Sequence, residues 1–156
     1  MKIMVLNSTK NYALDTNILI AMAQDNLEQN RILERLFGFF RQNKIKPFIP
    51  DKCLYEYFSV LSNLNKLKQT DIDVYKNFDY FVDDINFIIL RQTDYTHYLV
   101  RDLLHKKGVS GKYIHDIVVI ATLLENQIDC IITQNKKDFE GILGLEVMSL
   151  DDIALG

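Results

Sequence analysis

The 156 residues carry 18 Lys and Arg against 21 Asp and Glu, a net charge of −3, with 48% hydrophobic and 25% charged residues. That balance suits one well-filled core of ordinary domain size and excludes a disordered chain; the net charge excludes a protein that coats nucleic acid by bulk charge, though not one with a local basic patch. The longest apolar stretch, 117–124, is far short of the roughly 20 residues a membrane span needs, and the opening segment has too short an apolar run for a signal peptide, so a cytoplasmic protein without a membrane partner is expected.

Taken in chain order, residues 12–14 read as a short buried strand. Asp15, Thr16 and Asn17 follow, all good helix-capping residues, ahead of an apolar helix over 18–23. A second helix is predicted over about 28–42, where Ile32, Leu33, Leu36, Phe39 and Phe40 recur at helical spacing. Residues 46–49 form a strand ended by Pro50, and Asp51 caps a helix carrying Leu54, Tyr55, Phe58, Leu61 and Leu64. Another helix begins at Thr70 or Asp71 and runs to about Asp83. A strand at 87–90, a helix over 93–107 stopped by Gly108, a helix over 113–126, and strands at 128–133 and 145–149 complete the chain. Short apolar strands alternating with helices predict a mostly parallel sheet flanked on both faces by helices. No linker, repeat or low-complexity segment divides the chain, so residues 1–156 read as one α/β domain with 1–11 as an N-terminal extension. Cys53 and Cys130 stand in neither a zinc spacing nor a redox pair and are expected to be reduced, partly buried thiols.

Ligand sites in open parallel sheets form at the carboxyl ends of strands. Asp15 lies at such an end, and so does the loop from Thr133 to Asp138. Asp116 falls in the first turn of an apolar helix, and Glu56 in the second turn of its own. Each acid alone has a plain structural explanation. Asp15 can cap the first helix, Glu56 can be a solvated helix residue, Asp116 gains from the helix dipole, and Asp138 can cap a short turn through Ile142. The set is what points to chemistry.

The motifs resemble the PIN-domain family, and within it the VapC-like toxins. Tyr12-Ala13-Leu14-Asp15-Thr16-Asn17 resembles the family's opening strand and Asp-Thr-Asn turn. Glu56 matches its mid-chain helical glutamate, and Ile114-His115-Asp116-Ile117-Val118-Val119 its third acidic motif. Cys130-Ile131-Ile132-Thr133-Gln134-Asn135-Lys136-Lys137-Asp138 is similar to the last strand-and-loop motif. The resemblance spans residues 12–150. It departs from the family in the length of chain before the first strand. It departs again at Asn135, where some relatives carry an aspartate, leaving Asp138 as the fourth acid.

The resemblance implies a metal-dependent endoribonuclease, a hydrolase of RNA phosphodiester bonds, using Mg²⁺ or Mn²⁺ held by Asp15, Glu56, Asp116 and Asp138. Hard oxygen donors suit those ions. A cation would activate water and neutralise charge developing on phosphorus. Asp15 and Asp116 are expected as direct ligands, with Glu56 and Asp138 holding metal-bound water or a second ion. Asn17, Thr133 and Asn135 are expected to orient carboxylates. Lys112, Lys136 and Lys137 are candidates for holding RNA phosphates, against the plainer reading of solvated lysines. His115 is expected to be packed or partly exposed rather than catalytic. An antitoxin protein and a second copy in a homodimer are the partners the resemblance implies. A catalytically impaired PIN domain that binds RNA or protein is the first alternative. A receiver-like phosphate-accepting domain is a distant one, since Asp15-Thr16-Asn17 is not the paired acidic run it needs.

Overall fold

Five three-residue strands make the sheet, all apolar but for Glu146: β1 (Tyr12–Leu14), β2 (Phe48–Pro50), β3 (Ile88–Leu90), β4 (Cys130–Ile132) and β5 (Glu146–Met148). The computed structural model describes residues 5–24, 26–63, 86–108 and 113–155, with Lys76, Asp79 and Asp83. Strand order is β3-β2-β1-β4-β5, and every pairing is parallel. The registers Leu14↔Ile132, Ile131↔Val147 and Ile49↔Ile89 fix the centre. Every residue of β1 and β4 is buried, as strands covered on both faces must be.

Seven helices are described: α1 (Thr16–Ala23), α2 (Leu27–Gln42), α3 (Asp51–Leu61), α4 (Thr96–Lys107), α5 (Ile114–Glu125), α6 (Lys136–Phe139) and α7 (Leu150–Leu155). Helix α1 packs on α3, α4 on α5, and α2 on α7. The core joins Tyr12, Leu14, Leu36, Phe40, Ile49, Tyr57, Leu61, Ile120 and Ile132, all nearly inaccessible. The Phe37 to Phe40 segment contributes to it, with Phe40 buried and in contact with the rings of Tyr12 and Phe37.

Several boundaries differ from the sequence reading. Helix α1 begins two residues early, because Asp15 itself caps it by accepting from Thr16 N. Pro50 ends inside β2 rather than after it, paired with Leu90. The β1–β2 register reaches only Ala13↔Phe48, so the missing N–H of Pro50 breaks nothing there. Asp51 is accordingly the first helical residue and not the cap. Helix α4 starts at Thr96 rather than Thr93, since the Thr93 N–H is taken by Thr96 Oγ1 and the hydroxyls of both threonines donate to Glu125 of α5. Gly108 stops α4 as predicted, at φ 82°, where its N–H closes on Leu104 O.

Helix α7 went unforeseen. A reciprocal capping pair starts it: Ser149 N donates to Asp152 Oδ2 at 2.7 Å and Asp152 N donates to Ser149 Oγ at 3.2 Å. Both cysteines are fully buried, not partly. The extension before β1 is tied down at its C-terminal half. Tyr12 Oη accepts from Asn7 N, and Lys10 pairs with Glu146 at 2.6 Å. The helix predicted from Thr70 or Asp71 lies largely outside the described residues, where Lys76, Asp79 and Asp83 are helical and exposed. No helix among the described residues is long and apolar enough to cross a membrane.

Candidate active site

The direction in which strands are added reverses at β1. From β1 the chain goes to β2 and β3 on one side, then crosses over to β4 and β5 on the other. The carboxyl ends of β1 and β4 therefore border a crevice, the place where parallel sheets bind ligands.

Asp15 is the first residue past β1, and its N–H donates to Ile132 O at the end of β4. Both carboxylate oxygens are held. Oδ1 accepts from Thr16 N at 2.7 Å and from Cys53 Sγ at 3.6 Å. Oδ2 accepts from Thr133 Oγ1 at 2.7 Å and from Asn17 Nδ2 at 3.0 Å. Asp15 is thus the cap of α1 and, at the same time, a carboxylate at the end of β1. Thr133, wholly buried, uses its one proton on Asp15 while accepting from Asn17 Nδ2 and Asn135 N. Asn17 Oδ1 accepts from Gln134 N at 3.0 Å, clamping the loop after β4 to α1. Asn17 and Thr133 thus both donate to the same oxygen of the Asp15 carboxylate. Asn135 acts through its backbone N–H, and its exposed side chain makes no capping bond to α6.

Glu56 stands exposed on α3, its Oε2 accepting from Thr16 Oγ1 at 3.0 Å. Asp116, in the first turn of α5, and Asp138, on α6, are each partly buried. Burial pushes the Asp116 carboxyl above the ordinary range, and the charges of Asp138, Asp15 and Glu56 push it further, with Lys52 opposing. Burial likewise raises Asp15, against hydrogen bonds from Thr133, Thr16 and Cys53 that hold it down, and Glu56 adds to the rise. The structure therefore brings all four acids within electrostatic reach.

As they stand, no three His, Cys, Asp or Glu side chains among the described residues are close enough to enclose a metal. Both oxygens of Asp15 are taken by protein donors, and like-charged carboxylates repel one another at short range. The donor set still fits a hard divalent cation: four carboxylates are offset by Lys52, with no thiolate or imidazole cluster competing. Glu56, Asp116 and Asp138 retain the exposure they need to turn toward one.

The basic residues fare differently. Lys136 Nζ pairs with Asp152 Oδ2 at 3.0 Å, fastening α6 to α7 instead of facing the crevice unengaged. Lys137 is exposed, and Lys112 lies outside the described residues. His115 is exposed on α5. Three participants had not been singled out for the site: Thr16, Cys53 and Lys52. Cys53 precedes Glu56 by one helical turn, which would have placed both on one face of α3.

The family model of the PIN domain matches residues 11–137. The chain belongs to the PIN-domain family. That match takes in Asp15, Glu56 and Asp116 and ends one residue before Asp138. Solved structures share the PIN fold at low identity. A VapBC2 complex from Rickettsia felis bound to a DNA fragment from its promoter has 19% identity and a TM-score of 0.63, covering 88% of this chain and 97% of the other. A DNA-bound VapBC from Salmonella typhimurium has 18% identity and a TM-score of 0.61, covering 90% and 98%. A toxin-antitoxin complex from Klebsiella pneumoniae has 20% identity and a TM-score of 0.56, covering 86% and 95%. No curated protein sequence matches the chain.

Proposed function

We propose that this PIN domain is a divalent-cation-dependent endoribonuclease of the VapC toxin type. The observation that carries the reading is the Asp15 carboxylate, fixed at the β1–β4 crevice of a PIN fold by Thr16, Asn17 and Thr133, with Glu56 tied beside it through the Thr16 hydroxyl. Asp15 and Asp116 would hold Mg²⁺ or Mn²⁺ directly, with Glu56 and Asp138 beside them. The cation, when bound, lowers the pKa of attacking water and neutralises charge on phosphorus. The chain's own residues fix the acids. Thr133 and Asn17 lock Asp15, and Thr16 steers Glu56. The resemblance to toxin subunits supports an antitoxin partner and a homodimer, and Lys137 and Lys112 remain the candidates for phosphate contacts.

A PIN module that binds without cutting is the second reading, favoured by the spread of the acids and by Asn135. Incubating the protein with mixed RNA in Mn²⁺, in Mg²⁺ and in EDTA, beside Asp116→Asn prepared identically, separates the two. Cleavage that needs the cation and falls at least 100-fold in the variant is expected, the loss of about 2.7 kcal/mol or more of transition-state stabilisation. A folded wild-type protein that cuts nothing, or a variant that cuts equally well, rejects the nuclease.

A further inference from the structure

A groove of about 630 Å³ opens beside the acid cluster. Such a volume falls within the roughly 300–1,000 Å³ of small-molecule sites. One wall is the face of α3 that carries Lys52, Tyr55, Glu56 and Ser59, at the spacing that aligns side chains along a helix. Gln92, just past β3, and Val118 of α5 face it. Glu56 belongs to both the groove and the acid cluster, so whatever fills the groove lies next to the proposed cation.

Tyr55 is 66% exposed, while its neighbours Cys53, Leu54 and Tyr57 are buried. The ring is thus held away from the core on a helix that is itself anchored. An aromatic face so presented is a platform for a nucleobase, with no demand on base identity. Lys52 is partly buried and close enough to Asp116 to oppose the rise of its carboxyl. Gln92 is exposed and offers a donor and an acceptor on one amide. Asp51 and Glu56 leave the empty groove net negative against Lys52, with Asp51 Oδ1 accepting from Lys52 N. A divalent cation held by Glu56 and the other three acids would offset part of that negative charge beside Lys52, where a phosphate would sit.

We infer that this groove holds the nucleotide adjoining the scissile phosphate of a single-stranded RNA: the base stacks on Tyr55, the phosphate meets Lys52, and Gln92 contacts the base edge. The inference rests on the nuclease reading above, and binding tests it apart from cleavage.

The probe is a short fluorescein-labelled single-stranded RNA of random sequence, followed by anisotropy in Ca²⁺ and in EDTA, with its integrity checked on a gel afterwards. In Ca²⁺, Tyr55→Ala is expected to weaken binding by about 10-fold or more while Tyr55→Phe keeps the wild-type affinity. Lys52→Ala is expected to weaken it and to lower the salt slope by about 1. EDTA is expected to weaken the wild type. Both side chains sit on a helix surface, so melting temperatures should stay within a few degrees; if Tyr55→Ala fails to fold, Lys52→Ala decides. Wild-type affinity in both alanine variants overturns the groove as the nucleotide site and leaves it to another occupant such as a protein partner. If cation-dependent cleavage persists alongside that result, the nuclease reading survives the loss of the groove. A wild-type protein that neither binds nor cuts overturns both.

Discussion

Thr133 decides how rigid the site is. Its hydroxyl is inaccessible, donates to Asp15 Oδ2 and accepts from Asn17 and Asn135, so its hydrogen-bonding capacity is used in full. Thr133→Val keeps the shape and removes all three bonds, leaving a half-buried Asp15 carboxylate oxygen and two N–H donors each short of a partner. Destabilisation of about 1–3 kcal/mol is expected in urea unfolding. Thr133→Ser should recover most of it; a neutral Thr133→Val would mean that water replaces the hydroxyl and that Asp15 is held by its other donors. Much of this part was legible in the sequence. Asp15, Asn17 and Thr133 were all singled out, because a polar trio at two adjacent strand ends is hard to place anywhere but a crevice. Cys53 and Lys52 were not. A buried thiol and a first-turn lysine have ordinary explanations until the fold sets Asp15 and Asp116 beside them.

Strands and long helices followed from periodicity and apolar runs, since burial on both faces leaves little freedom in those segments. Ends were less legible, because side chains compete with backbone for the terminal groups. Thr93 bonds into Thr96 and Glu125 and so shortens α4, and Asp15 reaches Thr16 N and so lengthens α1. Helix α7 had a readable signal in Ser149 followed three positions later by Asp152, but it is too short for any period to stand out. Burial pushes Asp152 up, yet Ser149 N–H, Lys136 and the Ser149 hydroxyl together hold it below the usual carboxylate range. Its contribution is therefore present near neutrality and lost as pH falls below the ordinary carboxylate range through that depressed value. Ser149→Ala removes one half of the capping pair and is expected to cost about 0.5–2 kcal/mol in thermal or urea unfolding at neutral pH. No change in stability would show that packing of α7 on α2, rather than its cap, holds that end of the chain.

Across the whole chain, the sheet order brings Asp15, Glu56, Asp116 and Asp138 toward one crevice, and the proposed cation would offset their charge. Without it, Asp15 and Asp116 are raised groups, and raised acids favour the fold when protonated. Their ionisation costs stability at neutral pH, and the cost is relieved as pH falls through their raised values toward the ordinary carboxylate range of about 4. Protons and the proposed cation would therefore compete for the same oxygens. Isothermal titration of Mn²⁺ into the wild-type protein and into Asp116→Asn, at neutral pH and again near pH 5, tests the cation site most directly. Saturable binding at neutral pH is expected, weaker by about 10-fold or more in Asp116→Asn and weaker for the wild type at the lower pH. Equal Mn²⁺ binding by the two proteins, or none by either, would contradict a cation site built from Asp15, Glu56, Asp116 and Asp138.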